Sequence, residues 1–125
     1  MTIRILHVED DDDIREIAKL SLELDPEFEV KQCASGPDAL QCASDFAPDL
    51  LLMDVMMPGM SGEQLLTELR LLPGFETTPA IFMTARAQPN EVQSLRERGA
   101  IEVIVKPFDP MTLADQIRDC YNSAK

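Results

Sequence analysis

Leu50-Leu51-Leu52-Met53-Asp54 is the stretch whose reading decides the fold. Four apolar residues in succession, with no polar alternation, fit a strand covered on both faces, the pattern of a central strand in a parallel sheet. Parallel neighbours require crossover connections, so helices should flank such a strand on either side. Upstream, Gly36-Pro37 opens a helical pattern with Ala39, Leu40, Ala43 and Phe46 on one face, and Phe28 to Cys33 before it has strand chemistry. Before that again, Ile3 to Val8 is an apolar, β-rich run. Acids and then Ile14, Ile17, Ala18, Ser21 and Leu22 follow at helical spacing, until Asp25-Pro26 ends the helix.

Downstream, Met57-Pro58-Gly59-Met60-Ser61-Gly62 has loop chemistry, and Leu65, Leu66, Leu69 and Leu72 mark a helix face that Pro73-Gly74 breaks. Ala80 to Met83 reads as a fourth strand. Pro89 suits the first turn of a helix with Val92 and Leu95 inward, and Gly99 its end. Ile101 to Val105 is the fifth strand, and Leu113, Ile117 and Tyr121 stand on the buried face of a last helix. Five strands alternating with five helices argue for an α/β fold with a doubly wound, five-stranded parallel sheet. With 125 residues, one domain over 1–125 is expected, with no separate output domain.

Eleven basic residues against 23 acidic ones give a formal charge of −12. That balance disfavours direct contact with nucleic acid or an anionic membrane. No long apolar segment and no signal peptide are visible, so a cytoplasmic location and no membrane insertion are expected, and Met1 favours a natural start. Cys33, Cys42 and Cys120 lack close-spaced pairs and read as packing residues in a reducing compartment, with no zinc site. His7 lies inside the first strand and reads as a hydrogen-bonded sheet histidine, not a phosphocarrier. Met53, Met56, Met57 and Met60 read as packing, because no cysteine or histidine shares their spacing.

In doubly wound sheets, ligands bind beyond the carboxyl ends of the strands. Glu9 and Asp10 follow the first strand, Asp54 ends the third, Thr84 the fourth, and Lys106 follows the fifth. Carboxylates are hard oxygen ligands, and one or two of them with phosphate oxygens suit magnesium. A carboxylate can also act as a nucleophile toward phosphorus once the developing charge is neutralised. Asp11 to Asp13 fit helix capping instead.

VEDD at 8–11, LLLMDVMMPGMSG at 50–62, MTAR at 83–86 and VKPF at 105–108 resemble, in order, the motifs of response-regulator receiver domains. The resemblance covers essentially the whole chain. It implies a flavodoxin-like (βα)5 fold with strand order 2-1-3-4-5 and Asp54 as phosphoacceptor. It further implies Mg²⁺, with Mn²⁺ as a substitute, held by Glu9, Asp10, Asp54 and the backbone carbonyl of Met56. Lys106, before a cis proline, would reach the Asp54 carboxylate and then the phosphoryl group. The Thr84 hydroxyl and the Ala85 amide would meet phosphoryl oxygens. The implied partners are a histidine kinase or histidine phosphotransfer protein and a downstream protein target. The implied activity is that of a signalling phosphoacceptor in a two-component system, catalysing only its own phosphorylation and dephosphorylation.

Three positions depart from the family pattern. Val103 stands where an aromatic switch residue is usual, so remodelling of the output surface is expected mainly through the loop 84–88. Met56 and Arg86 stand at positions that in this family flank the path of the hydrolytic water, and their long side chains predict a comparatively long-lived phosphoryl group. Two rival readings remain open at the level of sequence. A receiver-like docking module that works without phosphorylation is consistent with Val103. A magnesium phosphatase would pair its nucleophile with an Asp two residues later, where Met56 stands.

Overall fold

The computed structural model describes residues 2–86 and 88–124. Strands and helices alternate throughout as β1 (Ile3–Val8), α1 (Asp12–Leu22), β2 (Phe28–Cys33), α2 (Gly36–Phe46), β3 (Leu50–Asp54), α3 (Gly62–Arg70), β4 (Ala80–Thr84), α4 (Pro89–Glu97), β5 (Ala100–Val105) and α5 (Leu113–Ser123). The strands form one parallel sheet in the order β2-β1-β3-β4-β5. The order in which the chain lays strands into the sheet reverses between β1 and β3, so their carboxyl ends open onto a crevice. Strand bounds differ from the sequence reading by one residue at two ends: β4 runs on through Thr84, and β5 begins at Ala100.

Alternate side chains of each strand feed two cores. Leu6, Val8, Leu51, Met53 and Phe82 pack with Ala39 and Ala43 of α2, Leu65, Leu66 and Leu69 of α3, and Leu95 of α4. On the opposite face, Ile3, Ile5, Leu50, Leu52, Ile81 and Ile104 meet Ala18 and Leu22 of α1 and Leu113 and Ile117 of α5. All five residues of β3 are buried, as the unbroken apolar run requires. None of the described helices is long and apolar enough to cross a membrane.

Helix starts are set by side chains that satisfy free amides. Asp11 Oδ1 accepts from the amides of Asp13 and Ile14 at 2.9 and 3.1 Å, a cap that contributes about 1 kcal/mol. Ser61 and Gln64 form a reciprocal capping box at the start of α3. Ile17 is 44% exposed, because α1 turns Ala18, Ser21 and Leu22 to the sheet and leaves Ile17 beside Ile14, Phe108 and Pro110 at the surface.

Candidate functional site

The carboxyl ends of β1, β3, β4 and β5 converge as the strand order requires. Glu9 leaves β1 with its amide donating to the Cys33 carbonyl at 3.1 Å, and the Arg15 guanidinium donates to the Glu9 carbonyl at 2.9 Å. Glu9 is thereby fixed at the top of the sheet, fully buried. Asp54 ends β3 and is also buried. Lys106 follows β5, its amide donating to the Thr84 carbonyl at 2.8 Å, and the Lys106-Pro107 peptide is cis.

These backbone placements bring the charges together. The Lys106 Nζ donates to Glu9 Oε1 at 2.8 Å and stands 3.0 Å from Asp54 Oδ1. The other Glu9 oxygen accepts from the Asp11 amide at 3.2 Å. Asp10, exposed, completes a cluster in which one oxygen from each of Glu9, Asp10 and Asp54 lies within 4.8 Å of the others. Thr84 is buried, its hydroxyl accepting from the Arg86 amide at 3.0 Å. Met56 and Arg86 share a surface pocket of about 380 Å³ with Thr84, Glu63 and Asn90. Ala85 borders a different, apolar groove with Lys106, Pro107, Phe108, Ile14 and Ile17. Glu9, Asp10, Asp54 and Lys106 are thus brought together at the carboxyl edge of the sheet, where Thr84 also ends β4. Of the loop 84–88, Ala87 lies outside the described residues.

Electrostatics at this edge are unbalanced. Burial raises the Glu9 carboxyl from the ordinary 4.5 to about 7; the hydrogen bond from Lys106 opposes that rise and the negative charge of Asp54 adds to it. For Lys106, burial alone would depress the ammonium, but its bonds to Glu9 and Asp54 prevail and raise it. Glu9 and Asp54 share one ammonium, the Asp10 carboxylate lies beside them, and all three side chains offer hard oxygens. The arrangement fits a divalent cation of the magnesium type better than a soft metal.

A stability consequence follows from Glu9. Its folded-state value exceeds the unfolded one, so the native state holds this proton more tightly. The favourable contribution is complete below about 4.5 and is lost as pH rises through about 7. Without divalent cations, the wild-type urea midpoint is expected to fall between about pH 5 and pH 8 relative to Glu9→Gln. A constant difference between the two proteins across that range would contradict this.

Two contacts at this edge were not legible in sequence. Glu9 pairs with Lys106 at least as closely as Asp54 does. Gly62, at the start of α3, lies against the Asp54 backbone, and its amide donates to the Val55 carbonyl at 3.0 Å. The glycine after the Pro-Gly-Met-Ser loop was the available signal for that approach. His7 is fully buried, as expected of a sheet histidine, and its Nδ1 lies 3.0 Å from Gln32 Nε2. Its Nε2, however, has no hydrogen-bond partner among the described residues, so the ring is only half satisfied. Burial and the nearby Lys106 and Arg15 charges lower it to about 3.

Comparison with known proteins agrees with this architecture. The sequence model of the response regulator receiver domain matches residues 5–118. The transcriptional regulatory protein CseB of Streptomyces coelicolor is 40% identical over 114 residues, covering 91% of this chain and 47% of CseB. The transcriptional regulatory protein SrrA of Staphylococcus aureus is 35% identical over 119 residues, covering 94% of this chain and 47% of SrrA. The chain thus spans about half the length of these curated relatives. Among solved structures, the chemotaxis response regulator CheY4 of Vibrio cholerae superposes with a TM-score of 0.87 at 30% identity, over 96% of this chain and 99% of that one. The receiver domain of a signal transduction histidine kinase from Syntrophus aciditrophicus gives 0.82 at 31% identity, over 99% and 93%. With the sheet order, the acidic edge and the match over residues 5–118 in agreement, the chain belongs to the response-regulator receiver domains of two-component signalling.

Proposed function

We propose that this receiver takes a phosphoryl group from a histidine kinase or histidine phosphotransfer protein onto Asp54, and that the acyl phosphate switches a protein-binding surface. The observation that carries the reading is the shared Lys106 ammonium, held between Glu9 and Asp54 within a three-carboxylate cluster at the crevice. An Asp54 oxygen attacks phosphorus as the bond to the donor's histidine nitrogen breaks. Lys106, already 3.0 Å from Asp54 Oδ1, moves its charge toward the incoming phosphoryl oxygens. The Thr84 hydroxyl and the Ala85 amide donate to the other oxygens. Glu9, Asp10, Asp54 and the Met56 carbonyl would hold Mg²⁺ or Mn²⁺, which would supply further positive charge for the phosphoryl group. The only catalysis in this reading is the protein's own phosphorylation and dephosphorylation, in the cytoplasm.

The apolar groove formed by Ile14, Ile17, Pro107, Phe108 and Pro110 borders Lys106 and supports a protein as donor rather than a small metabolite alone. One observation favours the rival docking module: Val103, where an aromatic switch residue is usual, is half-buried against the core. Incubation with Mg²⁺ and a small acyl phosphate, followed by intact mass, separates the readings. Gain of one phosphoryl group supports the switch. Absence of an adduct supports the docking module, and steady turnover of phosphoesters supports a phosphatase.

Met56, 63% exposed, and Arg86 stand in the pocket through which water would reach the acyl phosphate beside Thr84. The double variant Met56→Ala, Arg86→Ala is expected to lose its phosphoryl group faster than wild type, followed by intact mass over time. Equal or slower loss would count against a shielding role.

A further inference from the structure

Cys33 and Cys42 are nine positions apart, yet their sulfurs lie 3.3 Å from each other. Cys33 is the last residue of β2, and Cys42 lies in the middle of α2, where its Sγ also approaches the Ala39 carbonyl at 3.6 Å. Strand and helix pack so that both side chains point into the same gap. A disulfide needs the sulfurs at about 2.0 Å, a closure of about 1.3 Å that side-chain rotation and a small helix shift can supply. Cys33 is buried and Cys42 half-buried. A surface pocket of about 380 Å³ bordered by Lys31, Asp38, Gln41 and Asp45 opens over the pair. The third cysteine, Cys120, packs with the opposite face of the sheet and has no place in this contact.

We propose that Cys33 and Cys42 are a thiol modification site that closes to a reversible disulfide when the protein meets a hydroperoxide. Cys42 reacts first because it is only half-buried whereas Cys33 is buried. Its thiolate attacks one peroxide oxygen and the O–O bond breaks, leaving Cys42 as a sulfenic acid and releasing water once the proton is returned. The Cys33 sulfur, already in contact, attacks the sulfenic sulfur. The S–O bond breaks, and the departing hydroxide takes the Cys33 proton as a second water. Two thiols are oxidised by two electrons, and one hydrogen peroxide is reduced to two waters. The contact distance favours this internal capture over reaction of the sulfenic acid with solutes. A dithiol reductant restores both thiols by exchange.

The test uses the whole chain, treated with hydrogen peroxide, quenched, unfolded and alkylated with a maleimide. Reduced protein takes up label at three cysteines. After peroxide, label is expected at Cys120 alone, with the protein lighter by two hydrogen atoms and a non-reducing digest joining the Cys33 and Cys42 peptides. Dithiothreitol should restore all three labels. Cys120→Ser should still form the cross-link, and Cys42→Ser should not. Retention of all three labels, over-oxidation of Cys42 without a cross-link, or a bond through Cys120 or between chains would each overturn the proposal. None of these readouts depends on phosphorylation at Asp54.

Discussion

An Asp54→Asn variant is expected to take up no phosphoryl group from an acyl phosphate donor under conditions that modify wild type once. The amide lacks both the negative charge and the nucleophilic oxygen pair that attack phosphorus, while its size is nearly unchanged. The fold should survive, since the Lys106 ammonium keeps its 2.8 Å bond to Glu9. Removing the Asp54 charge also removes one of the influences that raise the Glu9 carboxyl, which eases the crowding of charge at that edge. Intact mass after donor treatment and urea denaturation in parallel read the two effects separately. An adduct of equal yield in the variant would place the nucleophile elsewhere.

The largest stability effect is expected from Gly62→Ala. Alanine is intrinsically better than glycine in a helix by about 1 kcal/mol, so propensity alone predicts a gain. The packing reverses the sign. A Cβ at this position would lie 2.2 Å from the Asp54 carbonyl oxygen, 3.1 Å from its carbon and 3.2 Å from the Phe82 ring. Those obstacles are backbone and a fully buried ring, so α3 or the end of β3 must move. The net loss is expected to reach about 3 kcal/mol, the upper part of the range for overpacked sites. Gly36→Ala makes a useful contrast: its Cβ would meet the Met60 Sδ at 2.5 Å, and that side chain is flexible enough to swing away. A Gly62→Ala urea midpoint equal to or above wild type would refute the close-approach argument. Because the displaced group is the Asp54 backbone, phosphorylation should slow together with the loss of stability.

Residues 50–53 made the buried central strand legible, because an uninterrupted apolar run of this length has few other homes in a small α/β domain. Placement of Glu9, Asp54, Thr84 and Lys106 at strand ends then followed from the alternation of elements, whereas the strand order itself came from resemblance to receiver domains. The exposure of Ile17 was hidden, since helical spacing shows that residues share a face without showing how far the sheet covers it. Glu9 as a partner of Lys106 was hidden for a different reason. The pair is 97 positions apart, and its geometry depends on the register of β1 with β3 and of β4 with β5. The Cys33–Cys42 contact likewise depends on how α2 sits against β2, and a nine-residue spacing carries no signal of it.

In the proposed function the phosphoryl group sits on the Asp54 carboxylate. Borohydride reduces an acyl phosphate to the alcohol, so treating the phosphorylated protein and sequencing its peptides by mass spectrometry marks the modified residue directly. Homoserine at position 54, formed only after incubation with donor and Mg²⁺, is the predicted result. Reduction at Glu9 or Asp10 instead, or a phosphorylated protein with no reducible carboxyl at position 54, would contradict it.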